Sequence, residues 1–232
     1  MSLRSMVSLE PLMTPLKYFV FDLDGTLVDS FKLYFESIEK IFDEHGMELK
    51  AAHRDQLFHM PTPRFLSQWF PEERVRELVD ELIVESRRRC FDAQPFDGVS
   101  TLLARLKQHG KSLAVWTNRD RGSTLEILRL HQMDSYFDLV VSGSCVEQHK
   151  PSPEGLRKIL AHFQAAPQET VVIGDHDVDM VPSLAEGCHF VRASWHSHWR
   201  EFKCEQSPVQ FHSFCDFQQW AELRADVRSV DQ

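Results

Sequence analysis

A short β-rich run, Leu16 to Phe21, stops abruptly at Asp22-Leu23-Asp24-Gly25-Thr26, which reads as a buried strand feeding a glycine turn. From Phe31 the spacing becomes helical. Phe31, Tyr34, Phe35, Ile38, Ile41 and Phe42 share one face, and Gly46 marks the stop. A second long helical pattern covers Glu72 to Phe91, with Val75, Leu78, Val79, Leu82 and Ile83 on its apolar side. Arg87-Arg88-Arg89 lie at its carboxyl end, where cations suit the helix dipole and a solvated face is expected. Nothing between Phe31 and Phe91 reads firmly as strand.

After the turn Gln94 to Gly98 the pattern alternates. A helix from Val99 to His109, stopped by Gly110, precedes a strand at Ser112 to Trp116 and a helix at Ser123 to Leu130. Strand Leu139 to Val141, helix Pro153 to Phe163, strand Thr170 to Ile173 and helix Asp179 to Glu186 continue the series. Strands near Cys188 to Val191 and at Val209 to Phe211 and a helix around Phe217 to Leu223 are expected to close it. Strands alternating with helices of this length imply right-handed βαβ units in a parallel sheet covered on both faces. The predicted class is α/β, with an all-helical insertion after the first strand. The division expected is a tail at 1–15, a core of 16–30 and 96–232, and the helical insertion at 31–95.

With 232 residues, 42% hydrophobic and 26% charged, the composition is that of a globular chain and excludes disordered, collagenous and disulfide-scaffold classes. A net charge of −9 argues against a surface devoted to nucleic acid or anionic lipid, so an anionic ligand must be met locally. Cys90, Cys145, Cys188, Cys204 and Cys215 are odd in number and form no C-x-x-C pair, which suggests reduced thiols and a cytoplasmic setting. No apolar run approaches the roughly 20 residues of a membrane span, and Met1 to Pro15 lacks a signal-like apolar core.

In an open parallel sheet, ligands bind beyond the carboxyl ends of the strands. Four predicted strand ends carry polar residues: Asp22 and Asp24, then Thr117-Asn118, then Lys150 after a loop, then Asp175 to Asp179. Singly these have plain readings as turns, caps or a surface lysine; their joint placement at strand ends is much harder to obtain that way. Asp22 and Asp24, two apart, project to one side of an extended backbone. With Asp175 they make an all-oxygen anionic site that selects a hard cation such as Mg²⁺. With Lys150 the site accepts a phosphate dianion, whose oxygens Thr117 and Asn118 would bind. Asp22 is then the nucleophile of an aspartyl-phosphate route, and Asp24 the general acid and base, a role worth roughly 10²–10⁴-fold. Pro151 disfavours helix at Lys150, and Ser152 is expected to cap a helix whose first residue is Pro153.

These residues resemble the haloacid dehalogenase superfamily of phosphohydrolases. Asp22-Leu23-Asp24-Gly25-Thr26-Leu27-Val28-Asp29 looks like its first motif, Thr117 its second, Lys150 its third, and Gly174-Asp175 with Asp179 its fourth. The resemblance, from about Leu16 to Leu223, implies a Rossmann-like three-layer core. It implies Mg²⁺ held by Asp22, the backbone carbonyl of Asp24 and Asp175, with Asp179 supporting them. The insertion resembles the cap of the phosphoglycolate phosphatase-like subfamily, which implies a small phosphorylated metabolite as partner, neither nucleic acid nor membrane, and a monomer or homodimer. Asp24 weakens the dehalogenase and phosphonate-cleaving readings. A phosphomutase of the β-phosphoglucomutase type is the enzymatic alternative, although Ser30 to Tyr34 holds no histidine early in the cap; a non-catalytic phosphate-binding or interaction module is the other. His176 and Pro182 depart from the family pattern, and His176 is a candidate to alter metal affinity.

Arg64, in a loop between cap helices, is a candidate to bind an anionic leaving group. Val28 to Ser30 and Gln94 to Gly98 are the expected hinges. His189, His196, His198, Cys204, His212 and Cys215 are dense, yet their spacing argues against zinc.

Overall fold

The computed structural model describes residues 15–60, 62–195 and 209–225. Six strands form one sheet: β1 (Tyr18–Phe21), β2 (Ser112–Trp116), β3 (Leu139–Val141), β4 (Thr170–Gly174), β5 (His189–Ala193) and β6 (Val209–Phe211). Their order is β3-β2-β1-β4-β5-β6, and every neighbouring pair is parallel. β1 is central, with Phe21 in register with both Val115 and Ile173. The chain leaves β1 toward one edge and later returns to the other side of it. This reversal opens a crevice at the strands' carboxyl ends. The α/β, Rossmann-like reading holds.

The helices are α1 (Phe31–Glu44), α2 (Ala51–His59), α3 (Thr62–Leu66), α4 (Glu72–Arg89), α5 (Val99–Gln108), α6 (Arg121–Leu130), α7 (Glu154–Phe163), α8 (Asp177–Ala185) and α9 (Phe214–Ala225). Both faces of the sheet are covered. Phe19, Phe21, Leu103, Ile127 and Phe217 belong to a buried cluster on one side, and Val20, Trp116, Leu156 and Ile159 to one on the other. The inserted helices have a third core of their own, in which Phe35, Ile38, Phe42, Phe65 and Leu78 are buried. Phe42 stacks on Phe65 at 5.9 Å and meets Trp69 edge-on at 5.2 Å.

Four expectations are corrected. α2 and α3 carry no regular apolar stripe and were not anticipated, and Arg64 therefore lies in a short helix rather than a loop. Pro153 occupies the cap position of α7 and Glu154 its first turn, with the Ser152 hydroxyl accepting the Glu154 N–H at 3.3 Å. α8 starts at Asp177, two residues early, because His176 caps it: its Nδ1 accepts the Val178 N–H, while Asp179 accepts the His176 N–H. Pro182 lies inside α8 beyond its first turn and so removes one helical N–H. Among the described residues no helix is long and apolar enough to cross a membrane.

Candidate active site

Asp22 directly follows β1, and its N–H donates to the Ile173 carbonyl at 2.8 Å, so the residue is fixed alongside β4. The chain then turns tightly: the N–H groups of Leu27 and Val28 converge on the Leu23 carbonyl at 2.9 and 3.1 Å. Gly25 is required at this turn. Its φ is +76°, and a Cβ there would meet the Phe31 ring at 2.3 Å and an Asp175 oxygen at 3.0 Å.

The Lys150 ammonium is buried and donates to Asp22 Oδ1 at 2.7 Å and to Asp179 Oδ1 at 2.6 Å. It also sits 4.7 Å from the centre of the Trp116 ring, a cation–π contact that closes its apolar side. Helix α7 must pass close to Trp116 here: a Cβ on Gly155 would lie 2.3 Å from the indole nitrogen. Asn118 fixes the lysine's backbone. Its side-chain oxygen accepts the Lys150 N–H at 2.8 Å and its amide donates to the Lys150 carbonyl at 3.2 Å. Asn118, expected at the substrate, thus spends its amide oxygen and one N–H holding the Lys150 loop against the end of β2.

Carboxylate oxygens of Asp22, Asp175 and Asp179 lie within 4.8 Å of one another. Burial pushes the Asp22 carboxyl up to about 7, opposed by Lys150 and reinforced by Asp179 and Asp24. Burial, Asp179 and Asp22 likewise hold Asp175 well above the usual carboxylate range. For Lys150 burial acts downward, but the charges of Asp179 and Asp22 outweigh it and keep the ammonium above its ordinary value. One lysine is therefore too little cation for this group. A hard cation on the oxygen set would supply the missing charge, so the donors fit Mg²⁺ and offer no soft ligand to a thiophilic metal.

Thr117 is buried at the end of β2, with its N–H on the Val141 carbonyl at 3.0 Å and its hydroxyl oxygen accepting the Arg119 N–H at 3.1 Å. That acceptor role leaves the hydroxyl proton to donate. Asp24 is held by Arg119: Nε donates to Oδ2 at 2.9 Å and Nη2 to Oδ1 at 2.6 Å. Sequence reasoning missed Arg119, although it stands two residues past Thr117. It also missed Arg192, only 1% exposed on β5, whose guanidinium donates to the Asp175 carbonyl at 3.0 Å and pairs with Asp177. The available signal was an arginine directly after the apolar pair Phe190-Val191.

Arg64 is exposed, and Thr62 of the same helix, not Arg64, lines the cleft at Asp24. Arg88 and Arg89 are engaged by Glu85 and Glu36 at 2.7 and 2.6 Å. His196, His198 and Cys204 lie outside the described residues; among those described, Cys145, Cys188 and Cys215 are free thiols.

Residues 19–193 match the family model of haloacid dehalogenase-like hydrolases. The chain belongs to that family. This haloacid dehalogenase-like hydrolase is 28% identical over 179 residues to a putative pyrophosphatase PpaX of Caldanaerobacter subterraneus subsp. tengcongensis, covering 76% of this chain and 80% of the relative. It is 28% identical over 185 residues to a phosphoglycolate phosphatase of Aquifex aeolicus, covering 78% and 85%. A solved haloacid dehalogenase superfamily hydrolase of subfamily IA, variant 1, from Geobacter sulfurreducens superposes with a TM-score of 0.69 at 26% identity, over 89% of this chain and 96% of that one. Family membership makes the protein an enzyme of hydrolase type.

Proposed function

We propose that the protein is a Mg²⁺-dependent phosphatase of a small phosphomonoester, of phosphoglycolate or sugar-phosphate type, acting through an aspartyl-phosphate on Asp22. One observation carries this reading: Asp22 lies at the crevice end of the central strand, bonded by a buried ammonium and within 4.8 Å of two further carboxylates. A nucleophilic carboxylate needs such surroundings, since a dianionic phosphate would otherwise be repelled from it.

Asp22, the Asp24 carbonyl and Asp175 would hold Mg²⁺, with Asp179 behind them, and the ion would neutralise charge on the phosphoryl oxygens when bound. Asp22 attacks phosphorus along the line of the leaving oxygen. Lys150, fixed by Asp179 and by the Asn118 clamp, offsets charge shared between Asp22 and the phosphoryl group. Thr117 donates its hydroxyl proton to a phosphoryl oxygen. Asp24 protonates the leaving alcohol, then takes a proton from the water that cleaves the acyl phosphate, so that two displacements replace one. Residues 31–95 act as a cap over a core of 16–30 and 96–232, with the hinges at Val28 to Ser30 and Gln94 to Gly98. Those segments run side by side, Asp29 donating to the Gln94 carbonyl at 2.8 Å and Phe96 to that of Leu27 at 3.1 Å. The free thiols accord with a cytoplasmic setting.

The pyrophosphatase relative favours inorganic diphosphate as a second substrate reading. Phosphate release from phosphoglycolate, sugar phosphates, diphosphate and an aryl phosphate, with and without Mg²⁺, tests the proposal. Mg²⁺-dependent release that falls to background in Asp22→Asn is expected. Release that ignores Mg²⁺, or survives Asp22→Asn, would contradict it, and net isomerisation of a sugar phosphate would point to the mutase.

A further inference from the structure

Both oxygens of Asp24 accept hydrogen bonds from Arg119 in a two-point fork, the edge a guanidinium offers to any carboxylate or phosphate.

Asp24 and Arg119 sit at the base of a cleft of about 390 Å³, walled on the cap side by Tyr34, Thr62 and Leu82 and on the core side by Asp120. Arg119 is the one cation among the described lining residues. The side chains of Arg119 and Asp24 are 15% and 30% exposed, so the pair is only partly withdrawn from water and open to exchange. The Asp120 carboxylate caps α6 by accepting the Ser123 N–H at 3.0 Å and the Ser123 hydroxyl. Tyr34 and Thr62 share a hydrogen bond of 2.7 Å and add neutral polar groups opposite the arginine. Arg119 is anchored through its backbone to Thr117, and Asp24 stands two residues past Asp22, so the fork extends from the phosphoryl position toward the cap.

We propose that Arg119 is a specificity-determining residue, its guanidinium exchanging Asp24 for a second anion carried by the leaving group. The substrates selected are small phosphomonoesters whose alcohol portion bears a carboxylate or a further phosphate, groups that present the same two-oxygen edge as Asp24. On exchange the guanidinium passes from Asp24 to the substrate anion. A substrate without the second anion leaves the fork closed. This inference rests on the phosphatase reading and specifies its substrate class.

The test uses a matched pair, 2-phosphoglycolate and 2-hydroxyethyl phosphate, which differ in a carboxylate against a hydroxymethyl group. Expected is a kcat/KM preference for 2-phosphoglycolate of about 10-fold or more, as for a charge-assisted hydrogen-bonded pair only partly withdrawn from water. Arg119→Gln should lose most of that preference and Arg119→Lys keep part of it. Equal turnover of the two compounds by the unaltered protein, or an equal loss on both in Arg119→Gln, would overturn the proposal. Calorimetric binding of both compounds to Asp22→Asn, which keeps Arg119, supplies a second reading that needs no Arg119 variant to fold. Tighter binding of 2-phosphoglycolate supports the subsite, and equal binding overturns it. Failure of the phosphatase reading would show differently, as no Mg²⁺-dependent phosphate release from either compound or from an aryl phosphate.

Discussion

Lys150 is the residue on which both stability and chemistry converge. Its ammonium is 2% exposed and is shared by Asp22 and Asp179. Replacing it by methionine keeps the stem on Trp116 but strands two carboxylates in a low-dielectric site. Removing one partner of a buried pair costs about 3–5 kcal/mol. Urea unfolding of Lys150→Met at neutral pH should show a loss of that order together with loss of turnover, and a near-unchanged midpoint would mean the pair is far better hydrated than described. Asp22, Asp24, Thr117 and Asp175 were legible in the sequence because each stands just past an apolar run, and Lys150 because it precedes the Pro151-Ser152-Pro153 start of a helix. Arg119 and Arg192 were not. Their partners lie 95 and 15 residues away, and no local period records a side-chain pair across the sheet.

At the scale of elements, the loop carrying Lys150 is tied to the start of α7 by Glu154. That carboxylate pairs with Lys158 at 2.7 Å and accepts the N–H groups of Gln148 at 2.9 Å and Glu147 at 3.1 Å. The Lys158 ammonium and these backbone donors pull it from 4.5 down to about 2. A depressed carboxyl contributes stability that is present above its ordinary value of 4.5 and lost as pH falls toward about 2. Glu154→Gln should therefore be less stable than the parent protein at pH 6, with the gap closing as pH falls through 4 to 2. A gap independent of pH would exclude the charge as its source. The effect will be small, since the group is exposed to solvent. Most elements could be read from periodicity, because the strands are apolar runs and α1 and α4 have clear stripes. α2, with His53, Arg54 and Gln56 among its residues, has no stripe to detect, and α3 is too short for one to repeat.

For the whole molecule, the parallel sheet followed from alternating strands and helices, but the placing of β1 between β2 and β4 comes from packing both faces at once. That placing brings Asp22 and Asp175 from distant segments together beside Lys150, so a cation held there would link its binding to folding. A ligand at 100 times its dissociation constant stabilises by about 2.7 kcal/mol, or about 5–10 °C for a chain of this size. Mg²⁺ should raise the unfolding temperature by that amount, and Asp175→Asn should remove most of the shift. Equal shifts in both proteins would place the ion elsewhere. If Asp22 takes the phosphoryl group, acid quenching during turnover followed by peptide mass analysis will capture it there. A phosphoryl group on the peptide containing Asp22, absent in Asp22→Asn and decaying as phosphate is released, is the predicted result. Mg²⁺-dependent turnover in which that peptide stays unmodified at every quench time, while Asp22→Asn still releases phosphate, would contradict it.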